Sequence, residues 1–168
     1  MENFVLIKGS NKDVETIYQI IKQRINWMDS NKIEQWNKTD YLKSYPIEYF
    51  KEKVTSGELY VMKDESSDKV VGAVVLLEED QRWKKDGVKS YYLHNLVSDT
   101  EVPGIGNRII DLCEKLASRN GKDRLRLDCQ STNTKLNHYY YRLGFKYVGN
   151  VQVGNYYGTK REKVKNLF

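Results

Sequence analysis

The chain has 168 residues, of which 39% are apolar and 30% charged, with a formal net charge of +5, two prolines and eleven glycines. This length suits one domain with its own core, and the composition excludes a disordered or linker-rich chain. The longest apolar runs, residues 4–7 and 70–77, fall far short of the ~20 residues that span a bilayer, so no membrane role is expected. The basic residues are scattered among acidic ones without a dense block, which argues against nucleic acid as a partner. The N-terminus lacks a basic segment and a small-residue cleavage site, so the expected location is cytoplasmic. Cys113 and Cys129 belong to no CxxC or Cys/His cluster, so no metal site is expected. They read as buried thiols, with a nucleophile beside His94 or His138 as the alternative.

Residues 4–7 predict a short strand, and Ser10 with Asp13 forms a capping-box-like helix start. Val14, Ile17, Tyr18, Ile21, Ile25 and Met28 then recur at helical spacing as one apolar stripe, which reads as core. Pro46 suits the first turn of a second helix that ends before Gly57, and aromatic residues lie between the two. Residues 59–62 and 70–77 predict an antiparallel hairpin. A strand at 91–97 is apolar except at His94 and Asn95. Ile105, Ile109, Leu112, Cys113 and Leu116 mark a helix stopped by Asn120-Gly121, and the alternating strand 125–129 follows at a spacing that suits a parallel crossover. A last helix, 134–143, stops at Gly144, and 145–153 and 159–164 read as closing strands. With no repeat or boundary in view, residues 1–168 are expected to form a single domain.

The run Glu101-Val102-Pro103-Gly104-Ile105-Gly106 lies between a strand and a helix. Its glycines permit close backbone approach, and the helix start offers N–H donors with partial positive charge, which suits a phosphate. By itself the run reads first as an ordinary tight turn, because glycine is the default turn residue. It is not the dinucleotide pattern GxGxxG, because the sixth position is Ile109.

Over residues 91–149 the order is a strand ending Leu96-Val97-Ser98, the GxG turn, a helix, the strand Leu125-Arg126-Leu127-Asp128-Cys129, then Asn133, Leu136, Tyr140 and Gly144-Phe145. This order resembles the core of the GNAT superfamily of N-acetyltransferases. The resemblance implies an α/β fold with a mixed, mostly antiparallel sheet, one splayed parallel strand pair and helices on both faces. It implies direct transfer of the acetyl group of acetyl-CoA to an amine, with neither metal nor covalent enzyme intermediate. A small-molecule acceptor is expected because no docking domain is visible, and the oligomeric state is not set by the sequence. Backbone groups of Leu96, Val97 and Ser98 would line the pantetheine arm, and Gly104, Ile105, Gly106, Asn107 and Arg108 would hold the phosphates. Asn133 would hydrogen-bond the arm, or else cap the last helix. One departure stands out: the family's loop is usually Q/R-x-x-G-x-G/A, whereas here Glu101 takes the first position and Pro103 lies inside. The first adds negative charge and the second removes a donor. An alternative is therefore a non-catalytic acyl-CoA-binding module of the same fold.

Helical geometry puts Leu136, Tyr139, Tyr140 and Leu143 on one face, with His138 and Tyr141 pointing away. The resemblance selects Tyr140 as the tyrosine near the thioester sulfur. A phenol ordinarily titrates near 10 and can protonate a departing thiolate, although Tyr140 also reads as a core tyrosine. An amine with a lysine-like pKa of about 10.4 must lose a proton first. His94 is the one histidine on a predicted core strand and is the candidate base, with a packing role as the alternative. Asp80 and Trp83, with Glu78, Glu79 and the aromatics Trp27, Trp36, Tyr41 and Tyr45, predict an acceptor side suited to a cationic amine. The same residues read equally as core aromatics and a solvated turn.

Overall fold

The computed structural model of the chain describes residues 3–165; Met1 and Glu2, on which the N-terminal reading partly rests, lie outside them. The elements are β1 (Phe4–Lys8), α1 (Asn11–Ser30), a 3-10 turn (Trp36–Lys38), α2 (Tyr41–Ser44), α3 (Ile47–Thr55), β2 (Leu59–Asp64), β3 (Val70–Leu77) and β4 (Ser90–Ser98), followed by α4 (Ile105–Arg119), β5 (Arg124–Gln130), α5 (Thr134–Arg142), β6 (Lys146–Val153) and β7 (Tyr156–Val164). The sheet order is β1-β2-β3-β4-β5-β7-β6. The β4–β5 pair is parallel, and the pairs of β1 with β2, β2 with β3, β5 with β7 and β6 with β7 are antiparallel. This is the mixed, mostly antiparallel α/β architecture the sequence predicts. The two short helical pieces between α1 and α3 were not expected, because a single turn is too short to show a period.

Contacts divide the chain into two compact units, Met1–Leu76 with His94–Cys113, and Leu77–Leu93 with Glu114–Phe168. In the first, Asp13 Oδ2 accepts from the Ser10 backbone N–H at 2.9 Å and from its hydroxyl at 3.0 Å, which fastens the start of α1. The stripe of α1 then buries Val14, Ile17, Ile21 and Met28 as its spacing requires. Strand β2 pairs with β3 so that Met62 faces Gly72. A Cβ on Gly72 would come within 2.6 Å of Ile109 Cδ1 and 2.9 Å of the Val97 carbonyl oxygen, so α4 and the end of β4 approach β3 only because that side chain is missing. Gly72→Ala is therefore expected to destabilise the protein by about 2 kcal/mol, within the usual cost of overpacking a core. Urea denaturation checks this: the midpoint should fall at an unchanged slope, and a parental midpoint would mean that α4 simply shifts.

In the second unit, Ser90, Tyr91 and Tyr92 pair in parallel with Arg124, Leu125 and Arg126. Strand β7 lies between β5 and β6, pairing Asp128 with Lys160 on one edge and Gly149 with Lys160 on the other. A Cβ on Gly158 would lie 2.7 Å from the Tyr156 ring, so the ring folds over a position that has to be glycine. This closing strand begins at Tyr156, earlier than the predicted 159, because Gly158 masks its alternation.

Candidate functional site

In the first unit, the residues expected to meet a cofactor follow one another along the chain. Strand β4 carries His94, Asn95, Leu96, Val97 and Ser98, of which Val97 is fully buried and the others are partly exposed. Arg24 of α1 donates through Nη2 to the Ser98 carbonyl at 2.8 Å and to its hydroxyl at 2.9 Å, and the guanidinium sits 4.8 Å over the Trp27 ring. Burial draws the Arg24 pKa down, with the charge of Asp99 opposing it. No sequence signal singles out Arg24, since it stands beside the apolar stripe rather than in a motif.

The following loop is built by Asp99. Its backbone N–H donates to the Val71 carbonyl at 2.8 Å, its Oδ1 accepts the Glu101 N–H at 2.9 Å, and Lys69 lies 3.3 Å from its carboxylate. Glu101 and Pro103 are thereby turned to the exposed side. Gly104 has φ +79°, a left-handed conformation that glycine adopts without strain, and α4 starts at the next residue. Ile105 is buried and comes close to Gly72, whereas Asn107 and Arg108 are exposed. The helix start is thus anchored by one apolar side chain, with its polar residues outward, an arrangement able to receive an anionic group.

In the second unit, Asn133 does what its capping alternative required: its Oδ1 accepts the Leu136 N–H at 3.0 Å at the start of α5. One turn later Asn137 joins three segments, a role the sequence reading missed. Its Nδ2 donates to the carbonyls of Gln130 and Asn133, both at 3.0 Å, and its Oδ1 accepts from Arg161 Nε at 3.1 Å and from the Cys129 thiol at 3.4 Å. The only sequence hint is its spacing of four from Asn133 on an otherwise apolar inner face. Burial pushes the Cys129 thiol up to about 12, so it stays protonated, and Cys113 is also buried and free. Tyr140 is 8% exposed and Tyr141 64%, so the tyrosine predicted to face inward does so. Its ring makes edge contacts with Tyr139 at 5.3 Å and Phe145 at 5.7 Å.

Asp128 on β5, whose side chain is almost wholly covered, accepts from Arg82 Nη1 at 2.9 Å and from the Tyr156 hydroxyl at 2.6 Å. Burial, and then the charge of Asp128, hold the Tyr156 phenol far above its ordinary pKa, so it acts as a neutral donor. Asp80 shapes its own turn, its Oδ1 accepting the Arg82 N–H at 2.9 Å. The Trp83 ring carries the Arg126 guanidinium and the Lys160 ammonium, each at 5.0 Å. Glu78 pairs with Lys122 at 2.6 Å, while in the first unit Trp36 stacks on Tyr41 at 4.2 Å and Tyr41 packs on Tyr45 at 4.8 Å. Much of the lining expected to attract an acceptor is therefore already engaged by the chain's own groups.

A parallel strand pair, a glycine turn after the first of those strands and a helix opening directly from that turn lie within this mixed, mostly antiparallel sheet. The chain belongs to the acetyltransferase (GNAT) family, whose model matches residues 22–145. It is 27% identical over 157 residues to the uncharacterized N-acetyltransferase YesJ of Bacillus subtilis (strain 168), covering 88% of this chain and 84% of that protein. Its fold is similar to a GNAT-family acetyltransferase from Listeria monocytogenes 4b F2365, with TM-score 0.75 and 24% identity over 95% of this chain and 94% of the other. It is also similar to the PaiA N-acetyltransferase of Thermoplasma acidophilum in complex with coenzyme A, with TM-score 0.71 and 17% identity over 96% and 99%. Among the described residues no helix is long and apolar enough to cross a membrane.

Proposed function

We propose that this chain is a single-domain cytoplasmic N-acetyltransferase that moves the acetyl group of acetyl-CoA directly to a small-molecule amine. The observation that carries the reading is the anchored start of α4: a left-handed Gly104, buried Ile105 and outward Asn107 and Arg108 directly after β4, in a chain of this family. Gly104, Gly106, Asn107 and Arg108 would hold the phosphates of acetyl-CoA, and the backbone of Leu96, Val97 and Ser98 its pantetheine arm. The acetyl-CoA thioester supplies the activated acyl group. Tyr140 donates a proton to the departing thiolate, and His94 accepts one from the amine. Asn133, which caps α5, acts by fixing that helix start. Asp80 and Trp83 belong to the acceptor side. Two cations already lie over the Trp83 ring, and Asp80 would bring its carboxylate's negative charge to an acceptor's ammonium.

Two measurements test this. Acetyl-CoA at 100 times its dissociation constant should stabilise the fold by about 2.7 kcal/mol, so a melting curve unmoved by millimolar acetyl-CoA would refute the cofactor assignment. Thiol release on adding polyamines, amino acids, amino sugars or peptide N-termini tests the transfer. A second reading, a non-catalytic acyl-CoA binder, is favoured by Glu101 and Pro103 in the loop. It predicts the same melting shift with no thiol released by any amine. For the base, His94→Ala should lower turnover and recover part of it at high pH, where more of the amine is neutral. An equal loss at every pH would make His94 a packing residue.

A further inference from the structure

Lys32, Asp40, Asp68 and Asn95 are described non-glycine residues with positive φ, and Asn95, at +53°, lies inside a strand, whereas the other three lie in turns or at a helix start. Left-handed backbone is disfavoured for any residue with a Cβ, and inside a strand it persists only where surrounding groups hold it. Here two side chains from the first unit's helical segment do so. Asn95 Nδ2 donates to the Tyr41 hydroxyl oxygen at 2.6 Å, and Asn95 Oδ1 accepts from the Tyr49 hydroxyl at 2.9 Å. Both halves of the amide are used, which fixes its rotation as well as its position.

The two tyrosines are themselves immobilised. Tyr41 is 6% exposed and stacked on Trp36, and its burial holds the phenol well above its ordinary pKa, so the hydroxyl is neutral. Tyr49 packs edge-on against Tyr45 at 4.9 Å and Phe50 at 5.1 Å. An aromatic stack on α2 and α3 thus grips one residue of β4 through two hydroxyls. The residues that follow the gripped position are Leu96, Val97 and Ser98. A left-handed residue interrupts the regular alternation of a strand, so it decides which way the N–H and C=O groups of the next residues point.

We propose that Asn95, clasped by Tyr41 and Tyr49, is a positioning residue that sets the backbone of residues 96–98 for the pantetheine arm of acetyl-CoA. This rests on the acetyl-transfer reading above. It also gives the aromatic segment 36–49 a task other than lining the acceptor: it holds the strand that receives the cofactor.

The test separates the backbone conformation from the side chain. Asn95→Gly loses the clasp but still adopts positive φ without steric cost, whereas Asn95→Ala loses the clasp and is strained there. Acetyl-CoA affinity by calorimetry should fall about tenfold for Asn95→Ala and stay within about threefold of the parent for Asn95→Gly. Amide hydrogen exchange at residues 96–98 of the free protein should quicken for the alanine variant more than for the glycine variant. Equal affinities and equal exchange for the two variants would overturn the proposal, because a merely structural side chain would be missed equally in both. If Asn95→Ala does not fold, Tyr49→Phe serves instead, since it keeps the ring contacts and removes one hydroxyl. Faster exchange at 96–98 with weaker acetyl-CoA binding would support the clasp, and parental values for both would overturn it. A parent protein that does not bind acetyl-CoA would refute the acetyl-transfer reading, and the exchange comparison would then decide by itself whether Asn95 sets this backbone.

Discussion

Tyr140→Phe is expected to lower turnover by roughly 10²–10⁴, the range for loss of a general acid, while acetyl-CoA binding changes little. The substitution removes one oxygen and keeps the ring, whose contacts with Tyr139 and Phe145 fix its position. The Phe145 N–H donates to the Tyr140 carbonyl at 3.0 Å, and this backbone bond does not depend on the side chain. The loss should therefore appear in kcat. A thiolate leaving without a proton at hand is a poorer leaving group, and a phenol with an ordinary pKa of about 10 retains its proton at neutral pH until the thiolate develops. Steady-state kinetics with any amine that releases thiol from the parent protein decides it. Unchanged kcat would reduce Tyr140 to a core aromatic.

Gly106→Asp is the second large effect, and here stability and binding should move in opposite directions. Gly106 lies in the first turn of α4, where a carboxylate interacts favourably with the helix N-terminus, so the free protein should keep or slightly raise its melting temperature. The same carboxylate would stand where phosphate groups are proposed to bind. Like charges about 4 Å apart in a partly shielded site repel by several kcal/mol, so acetyl-CoA should bind about 100-fold more weakly and its melting shift should vanish. An unchanged acetyl-CoA shift in this variant would put the phosphates elsewhere. A lowered melting temperature without acetyl-CoA would instead mean that the added side chain disturbs α4 itself.

Several features behind these predictions were legible in the sequence. The apolar stripe of α1, its Ser10 and Asp13 start, the inward Tyr140 and the glycine loop each follow from spacings within a few residues of one another. Such patterns persist in the fold because helix and strand periods are local properties of the backbone. For Asn133 the sequence left two roles open, and the structure has it accepting the Leu136 N–H. For the acceptor side the sequence left open an amine-attracting lining or core aromatics with a solvated turn, and in the structure Trp83 holds Arg126 and Lys160, and Glu78 pairs with Lys122.

What only the tertiary structure decided are pairings between residues far apart in the chain. Asn95 looked like a polar interruption in a buried strand. Its backbone is left-handed and its amide is hydrogen-bonded by Tyr41 and Tyr49, which lie 54 and 46 residues away. Gly72 sits in a continuous apolar run and carries no mark of the α4 side chain that needs its missing Cβ. Asp128 was legible as an acid on a strand, but not as one neutralised by Arg82 and hydrogen-bonded by Tyr156. Local patterns set each element and the face it buries. The partners of buried polar groups are chosen only when distant elements meet, because a buried donor or acceptor takes whichever complementary group the packed fold brings within hydrogen-bond reach.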